Sequence, residues 1–412
     1  MNHLRLLRSI ARLTLVPLSL IGPASAQHPP ALAPRVSPQV FPIMAWGGSP
    51  SDPESLQLMK QAGLNVSGFC RVEDLDRVRD AGLTCFVSDP QLHKFVAANQ
   101  ATDSEIRDAV AALVSRIVNH PAALGVNLRD EPSVQQMPIL GRISAELLKA
   151  MPGKLPYVNL FPNYASPQQL GADSYEAHLR QYVKIVKLPY LSWDNYSLSD
   201  GEMQPSFYDN LDQVRRVTLE AGIPFWNCIL SQALFRYMEP SDATFHLQAY
   251  ATMAYGGRGI QFFTYFTPEI GNFRLAPIDQ FGNRTATWDI LRRITNQIHA
   301  LAPVLVKLRS TGVYHWPVST AAGTPLLEGV GPGAKLLIGE FADPSGRPYV
   351  MLVNKSLRDS TSLRLQPRLA GAKIFRISPV TGREGPFGGE GNWLAPGAGV
   401  LLRIEPPPPA RP

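Results

Sequence analysis

Two adjacent carboxylates stand in the segment Asn127-Leu128-Arg129-Asp130-Glu131-Pro132, just past an apolar, strand-like run. An acid beside another acid gains proton affinity and one beside an arginine loses it, so the balance between Arg129, Asp130 and Glu131 depends on geometry. A carboxyl that keeps its proton can donate to a leaving oxygen while a second group stabilises or attacks the carbon, which is what glycoside hydrolysis requires. Glu131 fits the donor role, with Asp130 as one partner. A third acid ends another apolar run in Ser192-Trp193-Asp194-Asn195-Tyr196, where Asp194 suits a nucleophile, a stabiliser or an acceptor for a sugar hydroxyl. The ordinary alternatives are a surface ion pair or helix cap for Asp130-Glu131 and an Asx-turn for Asp194.

Other groups at the ends of such runs are candidate substrate contacts. Asn127 and Arg129 flank the acid pair, Asn163 follows Phe161-Pro162, and Tyr196 follows Asp194. Gln232 closes the run Ile223 to Leu230 after Ser231, and Glu269 follows Phe263 to Pro268. Trp46, Trp193, Trp226 and Tyr265 offer faces on which a sugar ring can stack, although a core position is the commoner fate of each. Eight histidines, none in a paired spacing, and three cysteines outside any CxxC pattern give no metal site, and His246 reads as structural. No GxGxxG or GxxxxGK[ST] follows an early strand, so no nucleotide cofactor is expected. The cysteines Cys70, Cys85 and Cys228 read as packing residues, and spacing alone does not say whether two of them pair.

These residues must be held by something, and the pattern around them repeats. Eight short apolar or β-branched runs alternate with amphipathic stretches: Pro42 to Trp46, Leu64 to Phe69, Thr84 to Ser88, Leu124 to Leu128, Tyr157 to Phe161, Tyr190 to Trp193, Pro224 to Leu230 and Ile260 to Phe266. Three helix-to-strand turns share the words Ala62-Gly63-Leu64, Ala81-Gly82-Leu83 and Ala221-Gly222-Ile223, where glycine supplies the left-handed residue that ends a helix. Strands that alternate with helices pair in parallel, and eight such units predict an α/β fold, a (β/α)8 TIM barrel over residues 41–305. In that fold the chemistry sits at the C-terminal ends of the strands, the place that Asp130, Glu131 and Asp194 occupy. After Pro303 short alternating runs with Gly and Pro turns predict a C-terminal antiparallel β-sandwich at 312–405, followed by a disordered Pro-rich tail at 406–412.

The opening segment differs from the rest. Arg5, Arg8 and Arg12 precede the apolar run Leu13 to Ile21 and the small-residue site Ala24-Ser25-Ala26, the layout of a secretory signal peptide over residues 1–26. Cleavage near Ala26-Gln27 would leave a secreted or periplasmic chain with a flexible leader at 27–40. The formal charge of +6 loses the three arginines of that segment and becomes +3, and no basic run remains to suit a nucleic acid. No stretch of the mature chain is long and apolar enough for a membrane span.

With Phe41-Pro42-Ile43 opening the barrel, Arg129-Asp130-Glu131-Pro132 after the fourth run, Asn159-Leu160-Phe161-Pro162-Asn163-Tyr164 after the fifth and Ala254-Tyr255-Gly256-Gly257 before the eighth, the region 41–305 resembles glycoside hydrolase barrels related to clan A, such as family 42 β-galactosidases. The resemblance implies an acid/base Glu after strand four, which Glu131 matches, and a nucleophilic Glu after strand seven, where Ser231 and Gln232 stand instead. It also implies an oligo- or polysaccharide substrate. The Asp-Glu pair is similar to that of hexosaminidases that use the substrate's own 2-acetamido group, in which Asp130 would orient the acetamide and Glu131 would be the acid. A barrel that binds carbohydrate without cleaving it is the reading from another class.

Overall fold

A computed structural model of the protein describes residues 41–317, 323–388 and 392–407; the expected signal peptide and leader, and residues 408–412 of the expected tail, lie outside the described residues. The eight expected runs form eight parallel strands: β1 (Ile43–Ala45), β2 (Val66–Cys70), β3 (Thr84–Ser88), β4 (Ala123–Asp130), β5 (Leu155–Leu160), β6 (Leu191–Asp194), β7 (Phe225–Leu230) and β8 (Ile260–Phe263). They close into a barrel in sequential order, with β1 hydrogen-bonded to both β2 and β8. Gly63, Gly82 and Gly222 take φ of +83°, +69° and +67°, so the repeated helix-Gly-strand words are the left-handed turns they were read to be. Side-chain caps start the connecting helices, among them Asp52, Asp89 and the Thr102–Glu105 capping box.

The inside of the barrel is filled, not open. Phe69, Phe86 and Tyr157 meet inside the barrel, and Trp226 stacks on Tyr190 at 4.0 Å between ring centroids. One reading of the cysteines needs correction: Cys70 and Cys85, expected to be packing residues, form a disulfide between β2 and β3 with Cα atoms 6.1 Å apart. Parallel neighbours bring them together although 15 positions separate them, a proximity that spacing does not encode. Cys228 is a buried free thiol on β7.

The C-terminal region is built on a six-stranded antiparallel sheet of β9 (Arg309–Trp316), β10 (Leu336–Ala342), β11 (Pro348–Asn354), β12 (Lys373–Ile377), β13 (Glu384–Pro386) and β14 (Gly399–Glu405), in the order β9-β10-β11-β14-β12-β13. Alternation decides its two faces. Leu337, Met351, Val353 and Leu401 join the barrel core, while Leu336, Ile338, Val350, Leu352 and Leu402 build a second core under two short two-stranded ribbons. The second layer of the expected sandwich is therefore reduced to those ribbons, because the barrel itself covers one face.

The helix Asp242–Ala254 sits at this junction and is buried along nearly its whole length. A one-sided surface helix would show an apolar stripe and a polar face, and this helix has neither because it packs on the barrel inside and on the sheet outside. The approach is close enough that a Cβ at Gly339 of β10 would fall 2.1 Å from the Ala254 carbonyl oxygen. Its Gln248 uses both amide atoms on the Leu230 backbone, accepting from the N–H at 2.9 Å and donating to the carbonyl at 3.1 Å, which pins the end of β7.

Candidate active site

The fourth strand ends irregularly. Its pairing with β5 shifts between Asn127 and Arg129, so Leu128 is the extra residue and the chain is re-aimed where the acids begin. Asp130 then faces Asn159 in register, and the Glu131 N–H donates to the Asn159 carbonyl at 2.8 Å. Glu131 itself has φ of +48°, a left-handed conformation that costs a residue with a Cβ on the order of 1–3 kcal/mol and that clusters at functional sites. The buried Pro132 follows at once.

Asn159 is the residue that gathers the acids. Its Nδ2 donates to Asp194 Oδ1 at 2.9 Å and to Asp130 Oδ1 at 3.2 Å. The orientation of this amide follows from the groups beneath it. The Tyr157 hydroxyl donates to Gln261 Oε1, Gln261 Nε2 donates to Ser192 Oγ at 2.6 Å, and Ser192 Oγ donates to Asn159 Oδ1 at 2.9 Å. With its oxygen occupied, the amide can turn only its NH2 to the two carboxyls. A chain of hydrogen bonds with one direction thus rises through the barrel and ends on Asp130 and Asp194.

The charges explain the protonation. Burial, then the neighbouring Asp130, pushes the Glu131 carboxyl up to about 7. Asp194 is 4% exposed, and burial, followed by Glu131 and then Asp130, holds it well above the usual carboxylate range. Asp130 is exposed at its edge; desolvation by its surroundings still raises it, and Asn159 and Arg129 oppose the rise. Three carboxyl groups therefore feel one another in a site that keeps at least one proton near neutral pH, the condition for general acid chemistry.

Of the expected substrate contacts, some stand at this mouth. Trp46 and Tyr196 are half-buried and flank Phe263 at 5.5 and 5.1 Å, an aromatic row. The Tyr196 hydroxyl lies 3.6 Å from the Cys228 thiol, beside Asp194 in register. Arg129 is half-buried and acts electrostatically on Asp130. Gln232 is 1% exposed at the end of β7, and neither of its amide atoms has a hydrogen-bond partner among the described residues.

Others are placed elsewhere. Trp193 and Tyr265, expected as stacking faces, are 0% and 1% exposed, and the Tyr265 hydroxyl accepts from Trp288 Nε1 at 3.0 Å. Trp226 is likewise core. The Asn163 amide is used on the helix Pro205–Ala221, donating to Ser206 O and Gln213 Oε1 at 3.3 Å each, so it holds the loop. Asn127 donates to Ser88 Oγ at 3.3 Å, and its carbonyl is bonded to His93 Nε2. Glu269 is exposed and is not among the charges that act on Glu131 or Asp194. A large aromatic just past a strand gives the same sequence signal whether its ring turns inward or outward, so the burial of Trp193, Trp226 and Tyr265 is not readable from the chain.

Beside the expected Trp46 and Tyr196, further aromatic groups face the mouth that the sequence reading does not single out. Tyr164, 51% exposed, accepts from the Tyr196 N–H at 3.3 Å and is acted on by both Asp194 and Glu131. Tyr164, Tyr196, Phe235 and Tyr237 line a cleft of about 580 Å³. Asn159, Ser192 and Gln261 were also passed over, although each is a polar residue inside an otherwise apolar strand, and that is the signal that finds them.

No family model and no curated protein matches the chain in sequence. Solved structures match in fold. They include a glycoside hydrolase family 5 protein from Bacteroides vulgatus ATCC 8482, 12% identical over 89% of this chain and 90% of that one with a TM-score of 0.57. A structure described as a glycoside hydrolase is 10% identical over 89% and 93% with a TM-score of 0.56. The β-galactosidase of the psychrophilic Marinomonas ef1 is 12% identical over 66% of this chain with a TM-score of 0.51, and this chain spans 62% of that one. What the chain shares with them is the fold, a closed eight-stranded parallel barrel with a β-rich region after it. At these identities the likeness is one of fold, and the expected (β/α)8 barrel with a β-rich C-terminal region stands.

Proposed function

We propose that the chain is a glycoside hydrolase in which Glu131 is the general acid. The observation that carries this reading is the Glu131 carboxyl, set at the end of β4 and lifted to about 7 by burial and Asp130, beside a cleft edged with the exposed Tyr164 and the half-buried Tyr196 and Tyr237. Such a group holds a transferable proton at neutral pH, and the aromatic rings suit a sugar face. The signal-peptide pattern supports export to the periplasm or medium, and the change of pattern after Pro303 supports separate barrel and C-terminal regions.

A second reading is favoured by a specific arrangement. The end of β7 carries Ser231 and Gln232 in place of an acid, while Asp130 is oriented by Asn159 next to Glu131. This is what an acetamido-assisted mechanism needs: one carboxylate to orient the 2-acetamido group and one acid to release the leaving group. A screen of aryl glycosides with and without a 2-acetamido group, followed by Glu131→Gln on the best substrate, tests both. An enzyme loses turnover and keeps ligand binding. A variant that still turns over a poor-leaving-group substrate at the wild-type rate would refute the assignment, and a protein that binds saccharide and cleaves none of the panel is a carbohydrate-binding barrel.

A further inference from the structure

A cleft of about 580 Å³ lies where the C-terminal sheet meets the ribbon Leu198–Ser199/Glu202–Met203 that follows β6. Three cations line its sheet side: Lys335, Lys355 and Arg358. Lys355 leaves the end of β11 and is half-buried, with Nζ 3.2 Å from His315 Nδ1. Burial, then the charge of Lys355, pushes His315 down to about 4, so at neutral pH this imidazole is uncharged and can only accept from the ammonium. Its other nitrogen is 3.2 Å from the Tyr255 hydroxyl, which fixes the ring between barrel and sheet. Lys335 is close enough to lower the proton affinity of Lys355 further, beyond what burial does. The Arg358 guanidinium lies over Gly201 of the ribbon, 3.3 Å from where a Cβ there would be.

The three carboxylates that share the cleft, Asp200, Glu202 and Asp359, are turned to other partners or to solvent and not onto these cations. Asp200 is paired with Arg236, Asp359 accepts from Ser356 Oγ at 3.2 Å, and Glu202 is exposed on the ribbon. Among the described residues no ion pair holds Lys335, Lys355 or Arg358. A half-buried ammonium whose hydrogen-bond partner is a neutral ring, next to a second lysine, is unfavourable by itself, and an anion in the cleft would offset that cost with charge-assisted hydrogen bonds.

We infer that this cleft binds an oxyanion, a carboxylate or sulfate, carried on a saccharide, with Lys355 as its central ligand and Arg358 at its edge. The saccharide part rests on the glycosidase reading. Ser199 lines the aromatic cleft beside the acids and Asp200 lines this one, so a sugar chain crossing the ribbon would reach both.

Titration calorimetry on the full chain tests it with four probes: a galacturonate tetrasaccharide, a sulfated galactan tetrasaccharide, a neutral galactan tetrasaccharide and inorganic sulfate. Lys355→Met should weaken at least one anionic oligosaccharide about 10-fold, and Arg358→Gln should do so by less, with neutral oligosaccharide unchanged. The exposed Arg358 keeps the test usable should Lys355→Met disturb folding. Binding of neither anionic oligosaccharide, or binding unaltered by both substitutions, overturns the site. Inorganic sulfate bound as tightly as the oligosaccharides overturns its saccharide part. Because binding is read without turnover, an anionic saccharide held but not cleaved would count against the glycosidase reading and leave this one standing.

Discussion

The two halves of the barrel mouth are unequal. At the ends of β4 and β6, three carboxyl groups share one site and two of them share the Asn159 amide; at the end of β7, the neutral Ser231 and Gln232 stand, with Ser231 Oγ donating to Thr264 O at 2.9 Å. A direct two-carboxylate displacement across the barrel would spread its acids over both halves. Here the charge is concentrated on one, where Asp130 raises the proton affinity of Glu131, both raise that of Asp194, and a single neutral donor orients two of the three. Under the proposed glycosidase reading, a nucleophile from the protein would come from the β6 side, as Asp194, or the substrate would supply its own.

Substitutions can break this asymmetry in graded steps. Glu131→Gln removes the transferable proton at nearly constant shape, and kcat on a substrate with a poor leaving group should fall about 10²- to 10⁴-fold. Next, Asn159→Ala removes the donor shared by Asp130 and Asp194 and leaves Ser192 Oγ without its acceptor. A loss of about 10- to 100-fold in kcat is expected, with destabilisation of about 1–3 kcal/mol in a denaturant titration. A variant within twofold of wild type would mean that the two acids are not oriented through this amide.

The third step sharpens the comparison through pH. An acid catalyst with a carboxyl near 7 works while protonated, so kcat/KM should fall as pH rises through about 7. Asp130→Asn deletes the neighbouring anion that helps to raise Glu131, and the falling limb should move to lower pH. The same sign governs stability: a carboxyl raised on folding contributes stability that is fully present below its unfolded value, near 4.5, and is lost as pH climbs through the folded value. Glu131→Gln should therefore flatten the decline of Tm across that window. Last, Glu269→Gln, on the exposed loop beyond β8, should change kcat by less than about twofold, since surface substitutions of this kind leave the site untouched.

Why one part of this was legible in the chain and another was not comes down to range. The helix-Gly-strand words depend on neighbours a few positions apart, so eight barrel strands were countable, as was the change to short alternating strands after Pro303. Glu131 and Asp130 could be singled out because two acids past a buried run are a local pattern. The Asn159 bridge joins residues 29 and 35 positions apart, and the Tyr157 to Gln261 contact spans 104, so no window of sequence contains them. Whether Trp193 faces a sugar or the core depends on one step of strand alternation, and the shift at Leu128 in β4 shows how easily such a step moves.

The helix Asp242–Ala254 has a consequence for inheritance. Because its outer side is sealed by β10, β11 and β14 and its inner side by the barrel, a chain ending after Leu308 would expose a strip of side chains that no solvent-facing helix carries. Recombination cannot exchange the C-terminal sheet for an unrelated module without also rewriting this helix. Sheet and barrel are therefore expected to change together over generations, with substitutions at Gly339, Tyr250 and Gly399 tolerated only in compensating sets.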